Sequence, residues 1–326
     1  MSQEGRLSWL RQFVVIALVI YGLWSAVAVA IAFPWNTDPL ADESATGEHA
    51  AYYRRVYAPE TERAAEASPT GVEPLSAKEL FYIDAAKTAA KNAAILDHVS
   101  AFVGRYGLGG AKILDVGAGS GLLQDVVDDY TGLDISPSVR RFFRKPFVEA
   151  SATAMPFDRS SFDALWSIWV LEHIPNPERA LMEMRRVVKP GGYMYLWPAY
   201  DIDRYAGQGH AVRPYSDFDW RGKLFKATIP IARSRIAKYL YEPHVKLLRL
   251  TATRFGASPS RFRFIRLAPN YDDYWVPDSD ATTSFTKFEL HLWFASRGDE
   301  VLESPPPSGM MFARYSTPAL IVRVRK

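Results

Sequence analysis

The run Ile113-Leu114-Asp115-Val116-Gly117-Ala118-Gly119-Ser120-Gly121 constrains this chain more than any other segment. A short apolar stretch ends in a carboxylate and enters three glycines at alternate positions. Glycine reaches backbone conformations closed to other residues and lets a ligand approach the main chain. A buried strand followed by such a turn opens a βα unit. The spacing Gly117-x-Gly119-x-Gly121 departs from G-x-G-x-x-G, whose third glycine comes one residue later. Taken alone, the turn is also compatible with a tight bend that binds nothing.

The rest of the chain has to supply the remaining strands. Lys112–Val116, Tyr130–Leu133, Phe147–Val148, Ala164–Ile168 and Tyr193–Trp197 are short apolar runs separated by helical stretches. That alternation predicts βαβ units and a mainly parallel sheet. Phe262–Leu267 and Ala319–Val324 are strand-like again and are expected to return to the same sheet. Residues 201–258 read as a basic helical insertion. Ser76-Ala77-Lys78-Glu79 has the capping-box form, and a helix is expected from there to about Val103. Residues 38–75, rich in Ala, Glu, Pro and Thr, read as a linker with some short helix. The chain has 326 residues, 48% hydrophobic and 23% charged, enough for a sizeable core. It has no cysteine, which excludes disulfides, cysteine metal sites and a thiol nucleophile.

The N-terminus has a different character. Gln12 to Thr37 contains no charged residue, and Phe13 to Phe33 is nearly all apolar. As a helix this stretch would be about 31 Å long, close to a bilayer's hydrocarbon thickness. Trp9 and Trp35 flank it, where rings with a polar edge favour the membrane interface. Residues 1–37 are therefore expected to be a membrane anchor, single-pass or monotopic. A buried core helix and a cleavable export signal ending at Ala30-Ile31-Ala32 are the alternatives.

Further motifs follow the glycine turn in order. Thr131-Gly132-Leu133-Asp134-Ile135-Ser136 ends a second strand in a carboxylate, which can accept bonds from a ribose diol. Ala152-Thr153-Ala154-Met155-Pro156-Phe157, Ser161-Phe162-Asp163-Ala164, Leu171-Glu172-His173-Ile174 and Arg186-Val187-Val188-Lys189-Pro190-Gly191-Gly192 complete the series. Over roughly residues 110–198 this order closely resembles class I methyltransferases, in the broad group related to ubiquinone- and menaquinone-methylating enzymes. The resemblance implies S-adenosylmethionine as cofactor and a Rossmann-like core over residues 76–200. It also implies a seven-stranded sheet with the last strand antiparallel, completed by residues 259–326.

Carried over by position, Asp115, Gly117, Ala118 and Gly119 line the methionine and ribose part of the cofactor. Asp134 and Ile135 hold the ribose, Ser151 and Ala152 lie beside the adenine, and Trp166 to Trp169 with His173 sit near the sulfonium and acceptor. Two departures matter. Relatives often carry Asp where this chain has Ser151. Some quinone-methylating relatives bind a divalent metal through a Glu that is Trp169 here, so no metal is expected. The short Asp115–Asp134 interval predicts a clipped first helix.

For a hydroxyl acceptor, a neutral histidine near pH 7 suits the role of base. His173 is the best-placed candidate, against a purely structural role; His210 and His291 are weaker candidates. Residues 204–266 carry 14 basic side chains against Asp217, Asp219 and Glu242, interleaved with aromatic and aliphatic residues. That pattern reads as a surface facing anionic lipid or as an ordinary solvated face; nucleic acid is not expected. Tyr271 to Asp280 is dense in aromatics and carboxylates, which suits a sugar or glycolipid. Charge alone leans towards an exported domain, since Arg6 and Arg11 precede the apolar run and acids follow it. An intracellular cofactor implies a cytosolic catalytic domain instead, and that is the expectation adopted. The expected acceptor is a small molecule, a lipid or quinone, or a lipid-linked glycan. The rival reading is a catalytically silent fold serving as a membrane-bound interaction module. An NAD-dependent oxidoreductase is disfavoured by the glycine spacing.

Overall fold

A computed structural model describes residues 3–32, 43–58, 93–203, 205, 209–256, 259–269, 278–303 and 318–325. Within these, β1 (Ile113–Val116), β2 (Tyr130–Asp134), β3 (Phe147–Glu149), β4 (Phe162–Ile168) and β5 (Val188–Trp197) are parallel. Two short strands, β6 (Ile265–Arg266) and β7 (Thr283–Ser284), form a separate antiparallel pair. The main sheet is closed by β8 (Glu300–Leu302) and β9 (Leu320–Arg323), giving a seven-stranded sheet of order β3-β2-β1-β4-β5-β9-β8. Strand β9 runs antiparallel to both its neighbours.

The expected Rossmann-like architecture is present, with one correction. The run Phe262–Leu267 does not return to the main sheet; the seventh strand is Glu300–Leu302, a half-exposed stretch with no apolar signal of its own.

Side chains alternate across the sheet, as the pleat requires. Leu114, Val116 and Leu165 join one core layer, packed on α4 (Pro177–Val187) and α8 (Lys287–Ala295). Ile113, Tyr130 and Trp166 join the opposite layer, packed on α3 (Ala93–Tyr106). Helix α4 starts where Asn176 accepts from the Arg179 amide at 3.1 Å with Pro177 in the first turn, a favourable N-terminus. The expected helix over residues 76–92 lies outside the described residues.

No α-helix forms between β1 and β2. Residues 117–129 make only turns, so the expected clipped helix is absent altogether. Three glycines leave too few residues for a stable helix. Gln124 substitutes for it: its amide donates to the carbonyls of Gly121 and Phe142 at 3.0 and 3.1 Å and accepts from the Arg144 amide at 2.9 Å. Leu123 and Val127 still reach the core.

Residues 201–258 are helical as expected over α5 (Trp220–Ala227), α6 (Ile229–Ala232) and α7 (Arg235–Phe255). Helix α1 (Gln3–Ala32) lies along α7, with Tyr21 and Trp24 against His244 at ring-centroid distances of 5.0 and 6.4 Å. Phe13, Ile16, Ile20 and Leu23 of α1 are exposed. Among the described residues, no helix is long and apolar enough to cross a membrane. The expected transmembrane helix is therefore unsupported. Residues 43–57, read as part of a linker, form the 15-residue helix α2 (Glu43–Tyr57), whose C-terminal end docks at the site described next.

Candidate active site

The carboxyl ends of β1, β2 and β4 meet where the strand order reverses between β1 and β4, the usual ligand crevice of an open α/β sheet. Gly117, Gly119 and Gly121 all have positive φ (74°, 49° and 71°). A Cβ at Gly117 would lie 2.2 Å from Val170 Cγ2, so the bare backbone of the turn packs against the Val170 side chain on the loop after β4. Above Gly119 the nearest atom to such a Cβ is the Tyr57 hydroxyl, at 3.5 Å.

Asp134 closes the end of β2. One carboxylate oxygen accepts from the Gly119 amide and the other from the Ser136 amide, both at 2.9 Å. The residue is buried, and burial pushes its carboxyl upward against those amides. An ionised carboxylate has about four acceptor positions; two backbone donors leave capacity for a diol. Ile135 beside it is half-buried.

Asp115 lies at the carboxyl end of β1, just before the glycine turn. It is buried beneath the turn and accepts from the Tyr130 hydroxyl at 2.7 Å. Burial pushes it up to about 7, with Trp166 and Tyr130 opposing the shift, although Trp166 Nε1 makes no hydrogen bond of ordinary geometry. Trp166 pairs in register with Asp115 and is fully buried on the same face, so it cannot line an acceptor pocket.

The folded chain binds the Asp115 proton more tightly than the unfolded one. The cofactor-free protein is therefore expected to lose stability as pH rises from about 4 to about 7. Asp115→Asn should flatten that slope, as read from urea midpoints across pH; an unchanged slope would show that Asp115 does not titrate there.

Trp169, not Trp166, reaches the surface. It sits at φ 54° at the end of β4, a strained conformation for a bulky residue and one that clusters at functional sites. Its ring meets Trp197 edge-on at 5.9 Å, and Trp197 meets His98 at 5.2 Å. These rings form an aromatic wall beside the loop that touches Gly117. Ser151 lies just past β3, with its hydroxyl 2.8 Å from that of Thr153, and Ala152 beside it is partly buried.

His173 is brought into a cluster that the sequence did not reveal. Its Nδ1 is 3.5 Å from Asp280 Oδ2 and its Nε2 is 3.9 Å from Glu172 Oε1. Burial alone would push His173 down, but Asp280, Glu172 and Asp278 outweigh it and hold the ring above its ordinary value. Burial pushes Glu172 up to about 7; its Oε1 accepts from the Ala199 amide at 3.1 Å, and its buried Oε2 has no hydrogen-bond partner. Glu172, His173 and Asp278 offer one atom each within 4.8 Å of one another, a group that could hold a cation.

Helix α2 covers this cluster. Tyr53 donates to Asp280 Oδ2 at 2.6 Å and meets His173 edge-on at 6.0 Å. Ser136 and Ser138 donate to the carbonyls of Tyr53 and Arg54 at 3.3 and 2.9 Å. Burial, Asp134 and Asp280 together push the Tyr57 hydroxyl upward. Tyr53 and Tyr57 carried no local signal beyond the regular spacing of aromatic residues in Tyr52-Tyr53-x-x-x-Tyr57, whereas Asp280 ends the aromatic and acidic segment Tyr271 to Asp280. Of the weaker histidines, His291 is buried in α8 and desolvation pushes it down to about 4. His210 packs on Phe218 and Phe225 within the insertion. Residues 271–277, with Trp275, lie outside the described residues.

Residues 114–196 match the family model described as "Methyltransferase domain". A ubiquinone biosynthesis O-methyltransferase of Xanthomonas oryzae pv. oryzae (strain PXO99A) is 33% identical over 121 residues, 33% of this chain and 49% of that protein. A sterol 4-C-methyltransferase of Caenorhabditis elegans is 31% identical over 107 residues, 28% of this chain and 32% of that protein. The chain thus spans about half or less of the curated relatives it matches. Among solved structures, the Burkholderia thailandensis 1,6-didemethyltoxoflavin-N1-methyltransferase with bound S-adenosylhomocysteine aligns at 15% identity and TM-score 0.39. That alignment covers 78% of this chain and 93% of that one, and its score is too low to carry weight. Over residues 114–196 the chain is therefore similar to methyltransferase domains.

Proposed function

We propose that this domain makes the chain an S-adenosylmethionine-dependent methyltransferase, associated with membranes through α1 and acting on an apolar acceptor such as a quinone, lipid or lipid-linked glycan. One observation carries the reading. The Asp134 carboxylate ends β2 against three positive-φ glycines, with acceptor capacity left after its two backbone bonds. The cradle fits the cofactor. Gly119 presents bare backbone beneath the Tyr57 hydroxyl, and among the described residues no other atom lies nearer than 3.5 Å to the place a side chain would take.

Bound there, S-adenosylmethionine supplies an electrophilic methyl group on a sulfonium. The protein's part is to align the nucleophile with that methyl group and to keep water out. Tyr53 and Tyr57 on α2 roof the site. The Trp169–Trp197 wall offers an apolar ring face to an acceptor. If the acceptor is a hydroxyl, its oxygen would bond to the methyl carbon as the sulfonium–methyl bond breaks to leave a neutral thioether, and its proton would pass to His173, whose charged form Asp280 and Glu172 favour. No step here passes through a metal. The exposed apolar side chains of α1 support membrane association, and the intracellular cofactor supports a cytosolic catalytic domain.

His173→Gln is expected to lower kcat by about 10²–10⁴-fold, the usual worth of a positioned base, with cofactor affinity unchanged by calorimetry. Unaltered turnover would remove His173 from the mechanism. The silent-fold reading is favoured by Ser151, whose hydroxyl is already engaged by Thr153. Cofactor binding without turnover on any extracted membrane lipid would establish it instead.

A further inference from the structure

Helix α5 presents two large apolar side chains to solvent: Trp220 is 70% exposed and Leu224 is 63% exposed. Four residues apart on a helix, they form one ridge. Arg221 and Lys223, both exposed, flank that ridge and make no ion pair among the described residues. Phe255, at the end of α7, is 83% exposed beside the exposed Arg254. Nothing in the core requires these residues to face water, and desolvating them would release free energy in proportion to the area covered.

We propose that the α5 ridge is a docking surface for an anionic lipid bilayer: Trp220 and Leu224 enter the interface while Arg221 and Lys223 meet acidic headgroups. The inference goes beyond the role given to α1, because it rests on a different element. Charge complementarity selects the occupant, since residues 204–266 carry 14 basic side chains against 3 acidic ones. Cations interleaved with exposed aromatic and aliphatic groups are the composition of an interfacial helix. Continuity selects it too. Helix α5 is joined through α6 to α7, and α7 packs along the apolar α1. The neighbouring cleft of about 500 Å³ mixes Arg213 and Arg221 with Asp217 and Asp219, so the contact is assigned to the ridge. A ridge seated on lipid holds the acceptor side of the enzyme at the bilayer, where an apolar substrate is concentrated.

The chain has no cysteine, so a single introduced thiol reports one position. A bimane label on Leu224→Cys is read in the full-length chain with vesicles of phosphatidylcholine containing phosphatidylglycerol and a shallow nitroxide lipid. The same label on Met182→Cys, 49% exposed on α4, serves as control. The expected result is a blue shift and quenching at 224 only. That signal should be lost in phosphatidylcholine alone and when Arg221→Gln and Lys223→Gln are added. If the chain floats with vesicles but 224 is not quenched, the ridge inference fails while the α1 reading stands. If the chain does not float at all, both fail. Equal quenching in neutral vesicles, or shielding of 224 by a nucleic-acid duplex and not by vesicles, would also overturn the proposal.

Discussion

Asp134→Ala is expected to weaken S-adenosylmethionine binding by about 10²–10⁴-fold. Two hydrogen bonds from a diol to a carboxylate are worth about 1.5–3 kcal/mol each, and every 1.4 kcal/mol is tenfold in affinity. The loss has a second source. The Gly119 and Ser136 amides now bond to Asp134, and alanine would leave both donors without an acceptor in a buried turn. The glycines would then lose the conformation that bares their backbone. Asp134→Asn separates the two effects, because its single side-chain oxygen can keep one amide while the charge is gone. Calorimetric titration of the cofactor and of its demethylated product into all three proteins reads the result, with thermal melts to confirm folding. The order wild type, then Asn, then Ala is expected. A folded Asp134→Ala protein that binds as tightly as wild type would remove the cofactor site from this crevice.

Arg249→Met is expected to cost about 3–5 kcal/mol of stability, the usual result of stranding one partner of a buried ion pair. Arg249 and Glu289 are both buried, and their bond is bidentate, with Nε to Oε1 at 2.8 Å and Nη2 to Oε2 at 2.7 Å. Arg249 also donates to the Ser260 hydroxyl at 2.9 Å and the Arg261 carbonyl at 3.1 Å. It is the point at which α7, and with it the basic insertion, is fastened to α8 and the core. Removing the guanidinium leaves the Glu289 carboxylate buried without its counterion. The double replacement Arg249→Met with Glu289→Leu should recover most of the loss, because an apolar pair avoids the desolvation penalty altogether. Urea unfolding, with the slope checked for two-state behaviour, measures both proteins. A loss below about 1 kcal/mol for the single variant, well under the usual range for such a pair, would mean that solvent reaches the stranded carboxylate.

Several site features were legible because they are local. The glycines at 117, 119 and 121 are needed where the backbone takes positive φ, a demand that spacing alone records. Asp134 is legible as the carboxylate that ends a strand, and it meets the Ser136 amide two residues on as well as the Gly119 amide of the glycine turn. Trp166 was misread for want of pleat parity. It stands opposite Asp115 in register, so it points into the packed layer, while the strained Trp169 three residues on turns out to the rim. The absent helix between β1 and β2 is a similar case: the short interval was visible, but not that Gln124 would bond three segments in its place.

Sequence by itself determined the parallel strands of the core, the glycine turn and the cationic insertion, since periodicity, glycine placement and charge are written within windows of a few residues. Tertiary structure alone decided the acceptor side. Tyr53 reaches Asp280 across 227 positions, and His173 acquires its carboxylates from its own neighbour and from a loop far down the chain. Such contacts leave no local pattern, because they are selected by how packed layers bring distant segments together and by the cost of leaving buried polar groups unpaired. The same holds for the α5 ridge: its residues were visible in the chain, but only the fold shows them facing outward together.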